Sequence, residues 1–468
     1  MKLYKTLLFL VSVLLTLLVL CYFFPQPSVS LFGVSVRWPS VADVLLTKKQ
    51  TSVDIDKQLD LVENTMRLTP VDSAQQAYQD SLAFYHKFFA ESPSRFYCPD
   101  DNVEYLFPFF RALSDTAQRS VHIIHYGDSQ IEGDRISGYL RYRFQELFGG
   151  SGPGLLPLWQ PIGATSVGQE LSDSVPMYYA GGIMGERADH KRYGAMGQMA
   201  RLSADTLTFT AWGRRAKRFS RVKLFVGSVD SLFAVSMGGN AFRTVATTKR
   251  TECLTWQLAS ARSKVSLSMC GASDIYGISL DTDTGVSLTN IPMRGSDGIF
   301  FHRMDKEPVR RMLDELNTRL VILEFGGNAL PYLKDSTDID KYCKQFARQI
   351  DYMHNLRPEA QILVIGPADM AIKRDGVLQT HPLLPHLVNS MCNVSTEHGA
   401  AYWDMYGVMG GYNSMIAWVG HQPQWAAPDY IHFTVKGADR ISQVLWQTIM
   451  TYYDYMNLLA KGEVTHEE

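Results

Sequence analysis

The sequence predicts an α/β protein: a parallel sheet covered by helices on both faces, interrupted by a β-sandwich and preceded by a membrane-spanning helix. Three observations predict it. Strand-like apolar runs alternate with runs at helical spacing in residues 101–164 and again from 289 to 458, the pattern of right-handed βαβ crossovers. Between these blocks, residues 165–288 are rich in short alternating runs separated by turn residues. The chain opens on an apolar stretch, Thr6 to Phe24, that contains no charged residue.

Size and charge bound the rest. At 468 residues, with 46% hydrophobic and 12% aromatic residues, the chain can bury a large core and exceeds what one domain usually needs. Its 45 basic and 47 acidic residues leave a net charge of -2, which excludes a broadly basic nucleic-acid-binding protein. Six cysteines suit an oxidising compartment without requiring disulfides. Cys253 and Cys270 can pair, or stand as two half-buried small apolar residues. No CxxC or histidine-rich spacing calls for a metal, and no motif calls for a cofactor.

The elements follow in order. Thr6–Phe24 is about as long as a helix that crosses a ~30 Å hydrocarbon layer. Lys2 and Lys5 precede it, so residues 1–25 are expected to anchor the chain with everything after Phe24 outside the cytoplasm. A cleaved signal peptide is the rival reading, but no small-x-small site follows the apolar run. Leu20 precedes Cys21 where lipidation needs a small residue. Residues 26–100 mix Ser, Pro, Lys and Asp with patches such as Val44-Leu45-Leu46 and read as a stalk with one or two helices. Glu104 to Thr116 is an expected helix, with Pro108 in its first turns. Val121-His122-Ile123-Ile124 is the first strand. After it, Ile136, Leu140, Phe144 and Leu147 mark a helix. Gly149 to Gly154 lacks the Gly-Lys-Ser/Thr ending of a phosphate loop and reads as a plain connection.

In the β-rich region, Thr206–Thr210, Val222–Val226, Leu232–Val235, Lys264–Ser268 and Tyr276–Leu280 are expected strands of the sandwich. The basic run Arg214, Arg215, Lys217, Arg218, Arg221 can hold an anionic glycan or simply solvate a loop. Leu320–Phe325, Ile362–Ile365 and Ala401–Asp404 then supply strands. Helices are marked by Ile339 to Met353, Leu384 to Val394 and Ala438 to Ile449, and 459–468 is a polar tail.

Between the first strand and its helix lies His125-Tyr126-Gly127-Asp128-Ser129-Gln130-Ile131-Glu132-Gly133-Asp134. A serine there stands at the carboxyl end of a parallel strand, beside a helix N-terminus, where ligands of open α/β sheets collect. Three further stretches offer partners: Thr289 to Gly295, Gly326-Gly327-Asn328, and Asp429-Tyr430-Ile431-His432. Acyl transfer needs a hydroxyl, a base, a group that orients the base, and donors for the oxyanion. Ser129, His432, Asp429 and the pair Gly295/Asn328 can fill those roles. The offset between Asp429 and His432 lets one loop supply both, the carboxylate fixing the imidazole tautomer. Each also has a bland role: Ser129 as a helix cap, His432 as a hydrogen-bonded loop residue, Gly295 as a turn glycine with Gly298 as its rival, Asp128 as a turn and cap residue. His122 and His125 read as packing residues. Trp403, Trp418 and Trp425 can stack on sugar rings or fill the core.

Gly-Asp-Ser at 127–129, Gly295, Gly-x-Asn at 326–328 and Asp-x-x-His at 429–432, in that order, resemble the four blocks of the SGNH (GDSL) hydrolase superfamily. The closer resemblance, through Asn290-Ile291 ahead of Gly295, is to its peptidoglycan O-acetylesterases of Gram-negative envelopes, which carry an inserted carbohydrate-binding-like β-sandwich. The resemblance implies a flavodoxin-like three-layer fold, with Ser129 as nucleophile, His432 as base then acid, Asp429 as its orienter, and Ser129, Gly295 and Asn328 lining the oxyanion hole. It implies an O-acetylated glycan substrate and, with the N-terminal span, an inner-membrane protein whose catalytic domain faces the periplasm. Two departures stand out: Ala329 replaces the usual acidic residue after Asn328, and Gln130 replaces the His or Leu common after the serine. An O-acetyltransferase on an envelope polysaccharide and a non-catalytic glycan-binding envelope protein are the alternatives.

Overall fold

In the computed structural model the apolar run before Ser129 is a strand, and the sheet built around it carries the candidate site. Residues 12–13, 16, 29–31, 34–36, 74–172, 175–182, 185–213 and 215–467 are described. They fall in two units, Met1–Ser52 and Val53–Glu468. In the first, β1 (Val29–Leu31) and β2 (Val34–Val36) form an antiparallel pair.

The expected membrane anchor is corrected. Among the described residues no helix is long and apolar enough to cross a membrane, and nearly all of Thr6–Phe24 lies outside them. Described helices instead bury one face and expose the other. The longest, Val435–Glu467, buries Ala438, Ile441, Leu445 and Ile449 and exposes Lys436 and Asp439. The transmembrane part of the expected fold, and the single-pass inner-membrane placement that rested on it, fall together. Val44-Leu45-Leu46 also lies outside the described residues. The later part of the expected stalk packs into the second unit: helix Ala74–Glu91 sets Phe89 4.6 Å from Tyr452 and Tyr85 5.3 Å from Tyr455.

Strands of the second unit fall into two main sheets. In chain order they are β3 (Phe96–Tyr97), β4 (Ser120–Gly127), β5 (Gly154–Leu156), β6 (Val167–Leu171), β7 (Met177–Tyr179), β8 (Gln198–Ala211), β9 (Phe219–Met237), β10 (Arg243–Thr248), β11 (Glu252–Arg262), β12 (Lys264–Asp281), β13 (Gly285–Pro292), β14 (Thr318–Glu324), β15 (Gln361–Ile365), β16 (Ala371–Arg374), β17 (Val377–Thr380) and β18 (Ala401–Trp403). One sheet has the order β13-β4-β14-β15-β18-β3, parallel throughout except for the edge strand β3.

Strand alternation explains its two covered faces. Val121 and Ile123 of β4, Leu320 and Ile322 of β14, and Ala401 and Trp403 of β18 point into one core, shared with helices Ser137–Phe148 and Val435–Glu467. Ile124 and Tyr126, Val321 and Leu323, and Tyr402 point into the other, shared with helices Lys306–Glu315, Ser336–Leu356 and Leu384–Glu397. The first of the parallel strands in the chain, β4, lies inside the sheet, and the connection from β13 to β14 passes over it. That makes the carboxyl ends of β4 and β14 the switch point where such sheets bind ligands.

The β-rich region differs from the expected sandwich. Hydrogen bonding joins β5 to β12 into a single eight-stranded, mainly antiparallel sheet with its own core. Expected strands at Val222–Val226 and Leu232–Val235 are one strand, β9, and those at Lys264–Ser268 and Tyr276–Leu280 are both in β12. These long strands bend at register shifts between Cys270 and Gly277, which lets one sheet curve instead of splitting into two. Cys253 and Cys270 are both free thiols. The chain rejoins the parallel sheet at Gly285, where Gly150 passes so close that a Cβ on it would sit 2.5 Å from the Val286 nitrogen.

One buried ion pair ties the two sheets together near the switch point. Asp134, in the left-handed region at φ 62°, takes Arg141 Nη2 at 2.9 Å and both the backbone N–H and hydroxyl of Ser166. Burial pushes its carboxyl up, but the Arg141 guanidinium and the Ser166 bonds outweigh that and hold it below its ordinary value. Arg141→Ala strands this carboxylate and is expected to cost about 3–5 kcal/mol, read as a lower urea midpoint. A change below about 1 kcal/mol would show that the pair does not brace the loop.

Candidate active site

Strand β4 delivers Ser129 through a turn that only its own residues permit. A Cβ on Gly127 would press on Ile131 Cδ1 at 2.9 Å and on the Glu324 carbonyl oxygen at 3.2 Å, so the turn closes most tightly with glycine there. Asp128 then caps the turn, its Oδ1 accepting from Gln130 N at 2.9 Å. The following Ser129–Asp134 is a kinked 3₁₀ segment, and the α-helix starts only at Ser137. Ser129 is thus held by a turn and not, as expected, by a helix N-terminus.

The loop ahead of the C-terminal helix brings the base. His432 Nε2 lies 2.8 Å from Ser129 Oγ, and His432 Nδ1 lies 2.7 Å from Asp429 Oδ2. The other carboxylate oxygen of Asp429 accepts the backbone N–H groups of Ile431 and His432, each at 3.0 Å. Burial pushes the Asp429 carboxyl up, but the bonds from His432 and Ile431 outweigh this, so it sits below its ordinary value and stays ionised. An ionised partner fixes the ring proton on Nδ1 and leaves Nε2 as an acceptor for the serine proton. Tyr430, between them, takes φ 58°.

Gln130 locks this loop to the serine turn. Its amide nitrogen donates to Ile431 O at 2.7 Å, and its amide oxygen accepts from Phe433 N at 3.2 Å. One side chain therefore brackets His432 on both sides. Arg135 adds to the clamp by donating to the carbonyls of Ser129, Glu132 and Phe433.

The expected oxyanion donors have a different status. Asn328 follows β14 into the same pocket as Ser129 and His432. Its Nδ2 lies 2.9 Å from Asp128 Oδ2 and 3.2 Å from Ser296 O, so both amide hydrogens have acceptors. Through Ser296 the loop after β13 reaches the site. In that loop Gly295 takes φ 68°, and its N–H has no acceptor among the described residues. The N–H of its rival, Gly298, is used on Ser296 Oγ at 3.2 Å. Arg294 anchors the loop to the serine turn by a two-point ion pair with Glu132, 2.7 Å at each contact.

Sequence reasoning missed the polar layer beneath the site. His125, read as packing, lies 3.0 Å from Glu324 Oε2 and 2.9 Å from Ser137 Oγ. Ser137 donates to Asn290 Oδ1, and Asn290 Nδ2 donates to Ile131 O. Ser137 spends its one proton on Asn290, so His125 Nδ1 must carry its own hydrogen. Glu324 was the available signal: a carboxylate at the end of an apolar buried strand needs a partner. Trp403 and Trp418 are fully buried in the core, and Trp425 is partly buried against it, stacked on His421. Among the described residues no group of three or more His, Cys, Asp or Glu could hold a metal ion.

No protein-family model and no curated protein matches the sequence. Solved structures do. A peptidoglycan O-acetylesterase matches at 21% identity over 76% of this chain and 96% of its own, with a TM-score of 0.60. A family two carbohydrate esterase from Cellvibrio japonicus matches at 8% identity over 62% and 99%, with a TM-score of 0.25. An acetyl xylan esterase matches at 19% over 35% and 81%, with a TM-score of 0.27. The first of these shares the fold of this chain across most of its length.

Asp128 makes the site sensitive to pH. Its burial, with Glu324 and Glu132 nearby, pushes its carboxyl up to about 7 against the donated Gln130 N–H. The folded protein therefore keeps a proton that the unfolded chain has released above about pH 4, and stability is lost as pH rises from there to about 7. Asp128→Asn has no such proton to lose. Urea unfolding of both proteins at pH 4.5 and 7.5 should show the variant gaining on the wild type at the higher pH; an equal difference at both would show that Asp128 ionises as a free carboxyl does.

Proposed function

We propose that the protein is a serine esterase that removes O-acetyl groups from a cell-envelope glycan of the peptidoglycan type, through an acetyl-enzyme intermediate. The observation that carries this reading is the unbroken chain from Asp429 through His432 to Ser129, with 2.7 and 2.8 Å contacts, at the switch point of a parallel sheet. The fold shared with a peptidoglycan O-acetylesterase supports the substrate class.

Ser129 Oγ attacks the acetyl carbonyl while His432 Nε2 takes its proton, and Asp429 stabilises the imidazolium that forms. Negative charge gathers on the former carbonyl oxygen, to be met by the N–H groups of Ser129 and Gly295 and by the Asn328 amide. Asn328 can donate there by giving up its longer bond, to Ser296 O. His432 returns the proton to the departing sugar oxygen, leaving acetyl-Ser129. Water, deprotonated by His432, then attacks the acetyl group, and acetate leaves as Ser129 regains its proton. The antiparallel sheet acts in this reading as an accessory module within the chain of the catalytic domain.

Ser129→Ala should abolish p-nitrophenyl acetate hydrolysis with folding retained; unchanged hydrolysis would end the reading. Incubation with O-acetylated peptidoglycan, with and without an acceptor glycan, should release free acetate in both cases. Labelled acceptor without free acetate would make the protein an O-acetyltransferase.

Gln130 acts as a positioning residue. Gln130→Ala should lower kcat for a small ester by about 10- to 100-fold, on the scale of misplaced reacting groups, with KM nearly unchanged. A rise in KM at constant kcat would assign Gln130 to substrate contact instead.

A further inference from the structure

The basic run of the antiparallel sheet takes no part in the chemistry at Ser129, yet the fold gathers it with a second set of cations. Residues 212–218 connect β8 to β9, and Ser263 turns β11 into β12. Pairing of Lys264 with Thr210 and of Arg262 with Phe219 brings that connection and that turn to the same end of the sheet. Lys217, Arg218, Arg262 and Lys264 consequently line one open basin of about 580 Å³. All four are exposed, as is Arg215 on the same loop.

Charge and shape at this basin point to a ligand. No carboxylate lines it, and among the described residues none of these five cations forms an ion pair; the Arg218 guanidinium donates only to Ala261 O, at 2.8 Å. Arg221, the last of the run, is different, being held by Asp281 at 2.7 Å and Asp283 at 3.0 Å. Arg214 lies outside the described residues. Uncompensated like charges facing each other raise the local potential and draw in anions. At the head of the loop stands Trp212, 47% exposed. Its ring lies against Gly168 so closely that a Cβ there would come within 2.3 Å of it. A fixed, half-exposed indole on the same loop as Arg215, Lys217 and Arg218 offers a flat apolar face on which a sugar ring can stack.

The same loop borders a second hollow. Gly213, Arg215 and Ala216 line a groove of about 450 Å³ with Gly133, Arg135 and Tyr139 and with the carboxylates of Asp134 and Asp439; Arg135 also donates to the Ser129 backbone carbonyl. We propose that the basin and groove form a binding track for an anionic polysaccharide, its acid groups on Lys217, Arg218, Arg262 and Lys264 and one ring on Trp212. That the track feeds Ser129 rests on the esterase reading; that it binds a polyanionic glycan does not.

The test uses the intact protein with fluorescein-labelled polygalacturonate, neutral dextran and phosphatidylglycerol vesicles as probes. Polygalacturonate should bind and dextran should not. R262E/K264E, and separately the neutral R262Q/K264Q, should weaken binding, the first by at least about tenfold, and added salt should weaken wild-type binding alike. Trp212→Ala should weaken it several-fold at fixed salt. All three variants should hydrolyse p-nitrophenyl acetate at the wild-type rate. Polygalacturonate binding that is absent, or indifferent to R262E/K264E, would overturn the proposal. So would vesicle binding that depends on these residues where polygalacturonate binding does not. Wild-type protein that binds polygalacturonate but hydrolyses no ester would support the track and remove the esterase reading alone.

Discussion

Two hydrogen bonds from one glutamine hold the candidate site in register. Ser129 and His432 come from loops 303 residues apart, and nothing in the parallel sheet itself fixes the loop after Asp429. Gln130 supplies the link, binding the backbone on each side of His432. A proton can pass only across a contact of hydrogen-bond length, so the 2.8 Å between serine and imidazole depends on that link. The rest of the loop is arranged to accept it: Tyr430 in the left-handed region turns the chain, Asp429 ties down two N–H groups, and Gly437 lets the helix start against Trp425, where a Cβ would overlap the carbonyl oxygen at 1.8 Å.

Much of this was legible in the sequence, for a definite reason. Ser129, Asn328, Asp429 and His432 stand at strand ends or in loops, where a polar residue after an apolar run has few structural excuses, and the three-residue offset from Asp429 to His432 is local. Gln130 was not legible, because its partners are backbone atoms 301 and 303 residues away. His125 was misread for a similar cause. Inside a strand it fits the period of a buried packing residue, and its partner Glu324 belongs to a neighbouring strand whose register no single sequence reveals. The continuity of β9 failed differently: Gly227 to Ser231 reads as a turn, but pairing with β12 and β10 carries the strand through it, tertiary context overriding local preference.

The two sheets divide the work in a way their chemistry makes intelligible. The parallel sheet, buried on both faces, fixes the ends of β4, β13 and β14 to one another through ladders of backbone bonds, which suits groups that must meet within tenths of an ångström. The antiparallel sheet is long-stranded, exposes more of its side chains and turns, and meets the first where Asp134 joins Arg141 to Ser166. Through that joint, a surface built from residues near 215 and 262 is held in a fixed relation to Ser129.

Charge is also distributed unevenly between site and surface, and the direction matters for the chemistry. Asp128, Glu324 and Asp369 all line the pocket beside Ser129. Three ionised carboxylates there would oppose the negative charge that an attacked ester carbonyl develops. Burial works against that: it pushes Asp128 up to about 7 and raises Asp369, while Glu324 faces His125 Nε2 at 3.0 Å. Less negative charge therefore faces Ser129 than three ordinary carboxylates would supply, and what remains disfavours a second anion there. A polymer carrying both groups would be sorted by this contrast, its acids drawn to the cations of the antiparallel sheet and its esters left to the serine. On the proposed esterase reading, the same residual negative charge would favour release of acetate, an anion, once the acetyl group is hydrolysed.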